Sequence, residues 1–277
     1  MENTNCIAKS ESRKFVAPIR SNIGTLLEPL RRLASKSAVI RERRYGSFQI
    51  NGNQHSLPTF IFTGPGAGSS NPIHLGIFAT IHGDEPEGAL SLIELFAELA
   101  RSPVVAAGYQ IHAYPLVNPT GYEDGTRHSR GGKDLNREFW RSSAEPEILH
   151  LEDELWRHHF DGLISLHSDN TSDGLYGFVQ GPDLSKELLL PALAAAEMFL
   201  PRNEQRIIDG FPANRGLIQQ GYEGVLSAPP EVRHVPFDLV LETPQAAPVE
   251  LQVKANVAAL KSILAEYRNI QSFAQNI

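Results

Sequence analysis

Residues 72–96 read "PIHLGIFATIHGDEPEGALSLIELF". The run from Pro72 to Ile81 is apolar without alternation and is bounded by turn residues, as expected of a strand buried on both faces of a sheet. From residue 86 to 100 the apolar residues recur at helical spacing, which predicts a helix. Strand, short turn and helix together form the repeating unit of α/β sheets. The turn itself is unusual in content, because His82, Asp84 and Glu85 crowd around Gly83. A loop that only reverses the chain has no need of an imidazole and a carboxylate three positions apart.

The same alternation runs along the chain. "SNIGTLLEPLRRLASKS" (21–37) reads as a short helix capped by Ser21 and interrupted by Pro29. Extended runs at 38–50 and 55–63 are joined by "NGNQ", a hairpin signal. Strands follow at 109–117, 162–167, 237–242 and near 205–209, with helices at 144–160, 184–199 and 248–268. Residues 118–140 read as an irregular polar stretch and residues 1–20 as a loose N-terminal arm. The expected fold is α/β, with a mixed, mainly parallel central sheet flanked by helices. Residues 21–277 are expected to form one domain whose first helix and hairpin are an extension.

Composition narrows the function. The chain has 277 residues, of which 41% are hydrophobic and 21% charged, with a net charge of -7. An acidic balance disfavours nucleic acid or an anionic membrane surface as the main partner. The basic spot "IRERRYG" (40–46) reads as a solvated strand edge. The one cysteine, Cys6, supports neither a disulfide framework nor a cysteine-rich zinc site. The opening residues carry no apolar signal core, and no run approaches ~18 apolar residues. The reading is a soluble, cytoplasmic protein in which any transition metal has nitrogen and oxygen ligands.

In open α/β sheets, sites form at the carboxyl ends of strands. Four polar clusters fall there: "IHGDE" after 72–81, "NPTGYEDGTRHSRGGKDLNREFW" (118–140), "LHSDN" after 162–166, and "LETP" after 237–241. Histidine followed three positions later by an acid also occurs at His150/Asp153 and His158/Asp161, so the pattern alone is weak. Those two lie on the acidic helical segment and read as a solvated face. His82 and Glu85 sit instead at the end of a buried strand, beside a glycine that frees the backbone. They are either a satisfied histidine with a helix-start acid, or ligands. His167, at the end of another buried strand, favours ligands. Two histidines and one carboxylate make a catalytic zinc set that leaves a fourth position for water. Glu242 closes an apolar strand, an expensive placement for an acid unless something compensates it. It reads either as a helix cap or arginine partner, or as a general base.

The set "HGDE", "GTRHSRGGKDLNREF", "SLHS" and "LVLETP", in this order over roughly residues 73–245, resembles the zinc carboxypeptidases of the carboxypeptidase A type. It is also similar to the related succinylglutamate desuccinylase/aspartoacylase branch. The resemblance implies one zinc ion held by His82, Glu85 and His167, with Glu242 as the catalytic carboxylate. It implies that Asn136 and Arg137 hold the substrate's terminal carboxylate, a shape a planar guanidinium fits. Arg127 is implied as the oxyanion arginine in preference to Arg130, and Tyr222 as a mobile-loop tyrosine. Read without the family, Arg127, Arg130, Lys133 and Arg137 are a basic loop and Tyr222 an ordinary loop aromatic. His112, His128 and His234 have no motif position and read as surface or satisfied histidines.

The expected activity is therefore hydrolysis of the amide bond next to a substrate's carboxylate by a zinc-bound water that Glu242 activates. The substrate is a small peptide, or an acyl amino acid if the chain is a deacylase. A metal-free binding protein on the same scaffold is the remaining reading.

Overall fold

The computed structural model describes residues 22–68, 72–180, 182–233 and 235–274. The expected arm 1–20 with Cys6, the cap Ser21, and His234 lie outside the described residues. The chain opens with helix α1 (Ile23–Lys36), then strands β1 (Ile40–Ile50), β2 (Asn53–Thr63) and β3 (Ile73–Ala79). Helix α2 (Glu87–Arg101) leads to β4 (Tyr109–Tyr114), helix α3 (Pro119–Asp124) and helix α4 (Pro146–Arg157). Next come β5 (Gly162–Asp169), β6 (Tyr176–Val179), a one-turn α5 (Pro182–Leu184) and α6 (Leu190–Ala196). Short strands β7 (Ile207–Ile208), β8 (Phe211–Pro212) and β9 (Leu217–Ile218) precede β10 (Phe237–Pro244) and the long helix α7 (Val249–Ala274).

Among the described residues the main sheet has the order β1-β2-β4-β3-β5-β10-β6-β9, and β7 pairs with β8 apart from it. The central strands β4, β3, β5 and β10 run parallel. The β1–β2 hairpin is antiparallel to β4 on one side, and β6 is antiparallel to β10 on the other. The sheet is thus mixed and parallel at its centre, and helices cover it, as the sequence led one to expect.

Both faces of the central strands are covered, which is why they carry no polar alternation. Leu75, Ile77 and Ala79 of β3 pack with α2 and α7 on one face. On the other face Phe78 stacks on Tyr114, with ring centroids 4.6 Å apart, against Ile148, Leu151 and Leu155 of α4. The hairpin turns at Asn51 and Gly52, both with positive φ (51° and 80°), as a two-residue Asn-Gly turn requires. Asn22, not Ser21, caps α1 by accepting a hydrogen bond from Thr25 N, and Pro29 is tolerated on its exposed face.

Several expected elements differ in extent. Helix 184–199 is broken, because residues Ser185–Leu189 form a π turn just ahead of Pro191, which has no N–H to give to the helix. Inside 118–140 lies α3. Asn118 caps it by accepting from Gly121 N at 2.8 Å, Pro119 opens it, and Gly125 closes it with φ 71°. That Asn-Pro…Gly signature was legible as a helix start and stop. The acidic helix α4 is not a solvated face throughout. Glu147 and Glu154 are buried, and Glu154 is held by Arg43 and by the Tyr114 hydroxyl at 3.1 Å. His158 meets His112 edge to face and lies 3.3 Å from Arg43, while Asp161 accepts from His74 N at 2.8 Å. His112 is buried and its Nδ1 has no partner among the described residues; burial, with His158 and His74 nearby, pushes its imidazole down to about 3, so it stays neutral.

A candidate metal centre at the strand ends

The chain leaves β3 through Thr80, which adopts φ 55° although it is β-branched. Such a conformation costs on the order of 1–3 kcal/mol and persists only where neighbours enforce it. Here the Thr80 hydroxyl donates to Pro115 O at 3.1 Å and its carbonyl accepts from Asn118 N at 2.9 Å. The bend ends β3 two residues before the sequence pattern does and carries His82 out over the sheet edge. Asn118 Nδ2 donates to Ile81 O (3.2 Å) and to Arg127 O (3.3 Å), tying the His82 loop to the arginine loop.

Gly83 has an ordinary backbone conformation, so the freedom expected of it is not what it supplies. What it supplies is room, because a Cβ there would fall inside the backbone of Gly121 and Tyr122 in α3. Gly83→Ala is therefore expected to push α3 and the Arg127 loop outward and to cost about 1–3 kcal/mol, as overpacking does. For a chain of this size that is a fall in Tm of several degrees, read from a thermal melt. An unchanged Tm would show that α3 yields freely.

His82, Glu85 and His167 are brought together, and all three are buried (3%, 4% and 4% exposed). His82 Nδ1 lies 2.7 Å from Glu85 Oε1, His167 Nδ1 lies 2.9 Å from Glu85 Oε2, and the two Nδ1 atoms are 3.1 Å apart. One ligand atom from each falls within 4.8 Å of the others. Tetrahedral ligands at ~2.0–2.1 Å from zinc stand ~3.3 Å apart. The contacts given above would open by roughly 0.2–0.6 Å to take such an ion, and the trio's nitrogen–nitrogen–carboxylate chemistry suits zinc.

Burial opposes charge in this trio, and the neighbours answer it. Glu85 is held well below the usual carboxylate range despite burial, by His82 and His167. Ser168 N donates to its Oε2 at 3.2 Å, and Arg127 Nη1 to its Oε1 at 3.4 Å. Burial pulls the His82 pKa down, but Glu85 and Asp134 outweigh it and raise it overall. His167 is lowered, chiefly by burial.

Asp134 was missed in the sequence. Its Oδ1 lies 3.1 Å from His82 Nε2, and its Oδ2 accepts from Arg127 Nε and Nη2 at 3.2 and 3.1 Å. It aims the His82 ring and anchors Arg127, as carboxylate partners of metal-binding histidines do. Its place directly before "LNR" was the available signal.

Glu242 on β10 is in register with His167 on β5, so the acid stands one strand away from the trio. Burial, with Glu85, Asp169 and Asp209 nearby, raises its pKa well above the usual range. Arg127, Asn136, Arg137 and Tyr222 line the same cleft, a cavity of about 270 Å³. Asn136 Nδ2 lies 3.5 Å from His167 Nε2. Arg137 Nη1 donates to Asn136 O at 2.7 Å, and its guanidinium sits 4.1 Å from the centroid of the Tyr222 ring. Tyr222 is partly exposed and donates to Asp209 O at 3.0 Å. Arg130 points elsewhere, to Asp124 and Glu123.

Residues 73–206 match the family model of the succinylglutamate desuccinylase/aspartoacylase catalytic domain. No curated protein matches the chain significantly. Solved structures share the fold. A presumed metallopeptidase of Shewanella denitrificans OS217 aligns over 87% of this chain and 87% of its own, with a TM-score of 0.70 and 22% identity. The metallo-carboxypeptidase of Burkholderia cenocepacia aligns over 89% of this chain and 68% of its own, with a TM-score of 0.66 and 18% identity. Bovine thrombin-activatable fibrinolysis inhibitor, solved with tick carboxypeptidase inhibitor, aligns over 91% and 98%, with a TM-score of 0.64 and 16% identity. No helix among the described residues is long and apolar enough to cross a membrane.

Proposed function

We propose that this chain, whose residues 73–206 match the succinylglutamate desuccinylase/aspartoacylase catalytic domain, is a member of the zinc carboxypeptidase superfamily that hydrolyses the amide bond next to a substrate's carboxylate. The observation that carries the reading is one cleft lined by His82, Glu85, Glu242 and two arginines, with His167 packed against Glu85 behind it. We propose residues 21–277 as the single unit that does this.

His82, Glu85 and His167 would hold one zinc ion. When bound, zinc supplies Lewis-acid chemistry, polarising a carbonyl and making water acidic enough to react near neutrality. Glu242 takes a proton from the attacking water and hands it to the leaving amine. Its raised pKa, caused by burial and by neighbouring acids, suits a group that must carry a proton between two steps. Arg127 faces the oxygen on which charge develops, and a donor so placed contributes on the order of 3 kcal/mol. Arg137 and Asn136 hold the substrate's carboxylate, and the Tyr222 ring keeps the guanidinium in place.

Peptidase and deacylase share these residues, and substrate length separates them. The residues after β10 form α7, which packs against Leu239 and Leu241, on the face of β10 turned away from the cleft. α7 therefore adds nothing to the lining of the cleft, and we read the preferred substrate as a peptide. A blocked tripeptide should lose its C-terminal residue faster than N-acetyl or N-succinyl amino acids are hydrolysed. The reverse order would replace the peptidase with an acyl amino acid deacylase, the reading that the family match over 73–206 favours.

A further inference from the structure

The start of α4 grips the arginine loop from behind at two points. Ser129 Oγ donates to Glu145 Oε2 at 2.7 Å. Thr120 of α3, whose hydroxyl accepts from Arg130 N at 3.0 Å, lies 3.4 Å from Glu147 Oε1. Glu147 is only 1% exposed. No ion pair reaches it among the described residues, and the Arg130 guanidinium is committed to Asp124 and Glu123. The titratable groups around it are Tyr45 from β1 and Glu145 ahead of the helix, and neither brings a positive charge. A buried carboxylate without a cation takes up a proton instead. Burial, with Glu145 nearby, lifts Glu147 from its ordinary 4.5 to about 7.

Counting hydrogens shows what that proton can do. The Thr120 hydroxyl has one proton and two acceptors beside it, Asn118 Oδ1 at 3.3 Å and Glu147 Oε1 at 3.4 Å. Both distances exceed the ~2.7–2.8 Å of a formed O–H···O bond. With Glu147 ionised, one of the two acceptors goes without. With Glu147 protonated, its O–H donates to Thr120, Thr120 donates to Asn118, and no acceptor is left over. Asn118 is the junction of the site's supports. Its Nδ2 donates to Ile81 O and Arg127 O, and Gly83 N reaches the same Arg127 carbonyl at 3.3 Å.

We propose that Glu147 is a positioning residue for Arg127, and that it works as a neutral acid whose proton fixes Thr120, then Asn118, then the arginine loop. The ordering of the loop stands on this geometry; only its effect on turnover rests on the amide-hydrolase reading above. The direction with pH follows. Relative to the unfolded chain, the stabilisation from neutral Glu147 is full below about pH 4.5 and is lost as pH rises through about 7. Within the folded protein the loop is tight below about pH 7 and looser above it.

Hydrogen exchange on the full-length protein tests this without a substrate. Corrected for intrinsic rates, the amides of residues 118–133 should exchange roughly threefold faster or more at pH 8.5 than at pH 6. Glu147→Gln, whose amide can donate to Thr120 at either pH, should be slow at both. Thr120→Val, which keeps the shape and removes the relay, should be fast at both. Equal protection of the wild-type loop at the two pH values, or a pH response that survives Glu147→Gln, would overturn the proposal. Turnover is the second arm. The other titrating groups of the cleft are common to both proteins, so the ratio of kcat, Glu147→Gln over wild type, isolates Glu147. It should be near 1 at pH 6 and roughly threefold or more at pH 8.5, with KM little changed, because Arg127 acts on charge that develops in the reaction. A ratio that stays flat while substrate is cut would also overturn it. If no peptide or acyl amino acid is cut while exchange behaves as expected, the hydrolase reading fails and the Glu147 relay stands.

Discussion

His167→Ala is expected to yield a folded protein with neither bound zinc nor turnover. The protein purified without chelator should carry about one zinc per chain, and the variant well under a tenth of that, by elemental analysis. Three protein ligands are the usual complement of a catalytic zinc, so two cannot hold the ion at ordinary concentrations. The loss is specific, because His167 reaches the trio from the end of β5 while its neighbours Leu166 and Ser165 stay in the strand interior. Glu85 would keep Ser168 N, Arg127 and His82, so the loop should not collapse. His82→Ala should lose zinc as well and also leave Asp134 without its imidazole. Near-stoichiometric zinc in both variants would sink the ligand assignment.

Glu242→Gln should separate metal binding from chemistry. The amide is close in size to the carboxylate and touches none of the three ligands through a hydrogen bond, so zinc content should stay at the wild-type level. Turnover should fall by roughly 10²–10⁴-fold, the range for removal of a general acid–base group. Stability should hold or rise slightly, since a carboxyl disfavoured by burial and by Glu85, Asp169 and Asp209 has been neutralised. Loss of kcat with little change in KM is the expected pattern, because the amide removes proton transfer and leaves Arg137 and Asn136 in place. Turnover within a few-fold of wild type would return Glu242 to a structural role.

The sequence disclosed most where local pattern and burial coincide. The apolar run of β3, the Asn-Gly hairpin and the acid at the end of β10 each reflect one physical demand, and each was legible. The convergence of His82, Glu85 and His167 could be expected because parallel strands must end on the same edge. What escaped were features set by distant contacts. The twist at Thr80 depends on Pro115 and Asn118, and no residue near Thr80 announces it. Gly83 was read as conformational freedom, whereas its function is close approach to α3, a neighbour visible only in three dimensions. The burial of Glu147 and Glu154 on an acidic helix follows from the partners that the sheet brings to them, Arg43 and Tyr114 for Glu154.

The sheet order has a consequence for how the molecule is made. β10 lies between β5 and β6, yet it is synthesised after both. Until residues 237–244 leave the ribosome, two edges that will become interior carry open rows of N–H and C=O groups, a template for pairing with the wrong chain. His82, Glu85 and His167 are all present well before that point, so the nascent chain can assemble the candidate metal ligands before it gains Glu242, the acid of the proposed hydrolysis. Insertion of β10 is then the step that closes the sheet and completes the proposed site together. Pulsed hydrogen exchange during refolding should find the β10 amides protected last, and early protection of β10 would refute that order.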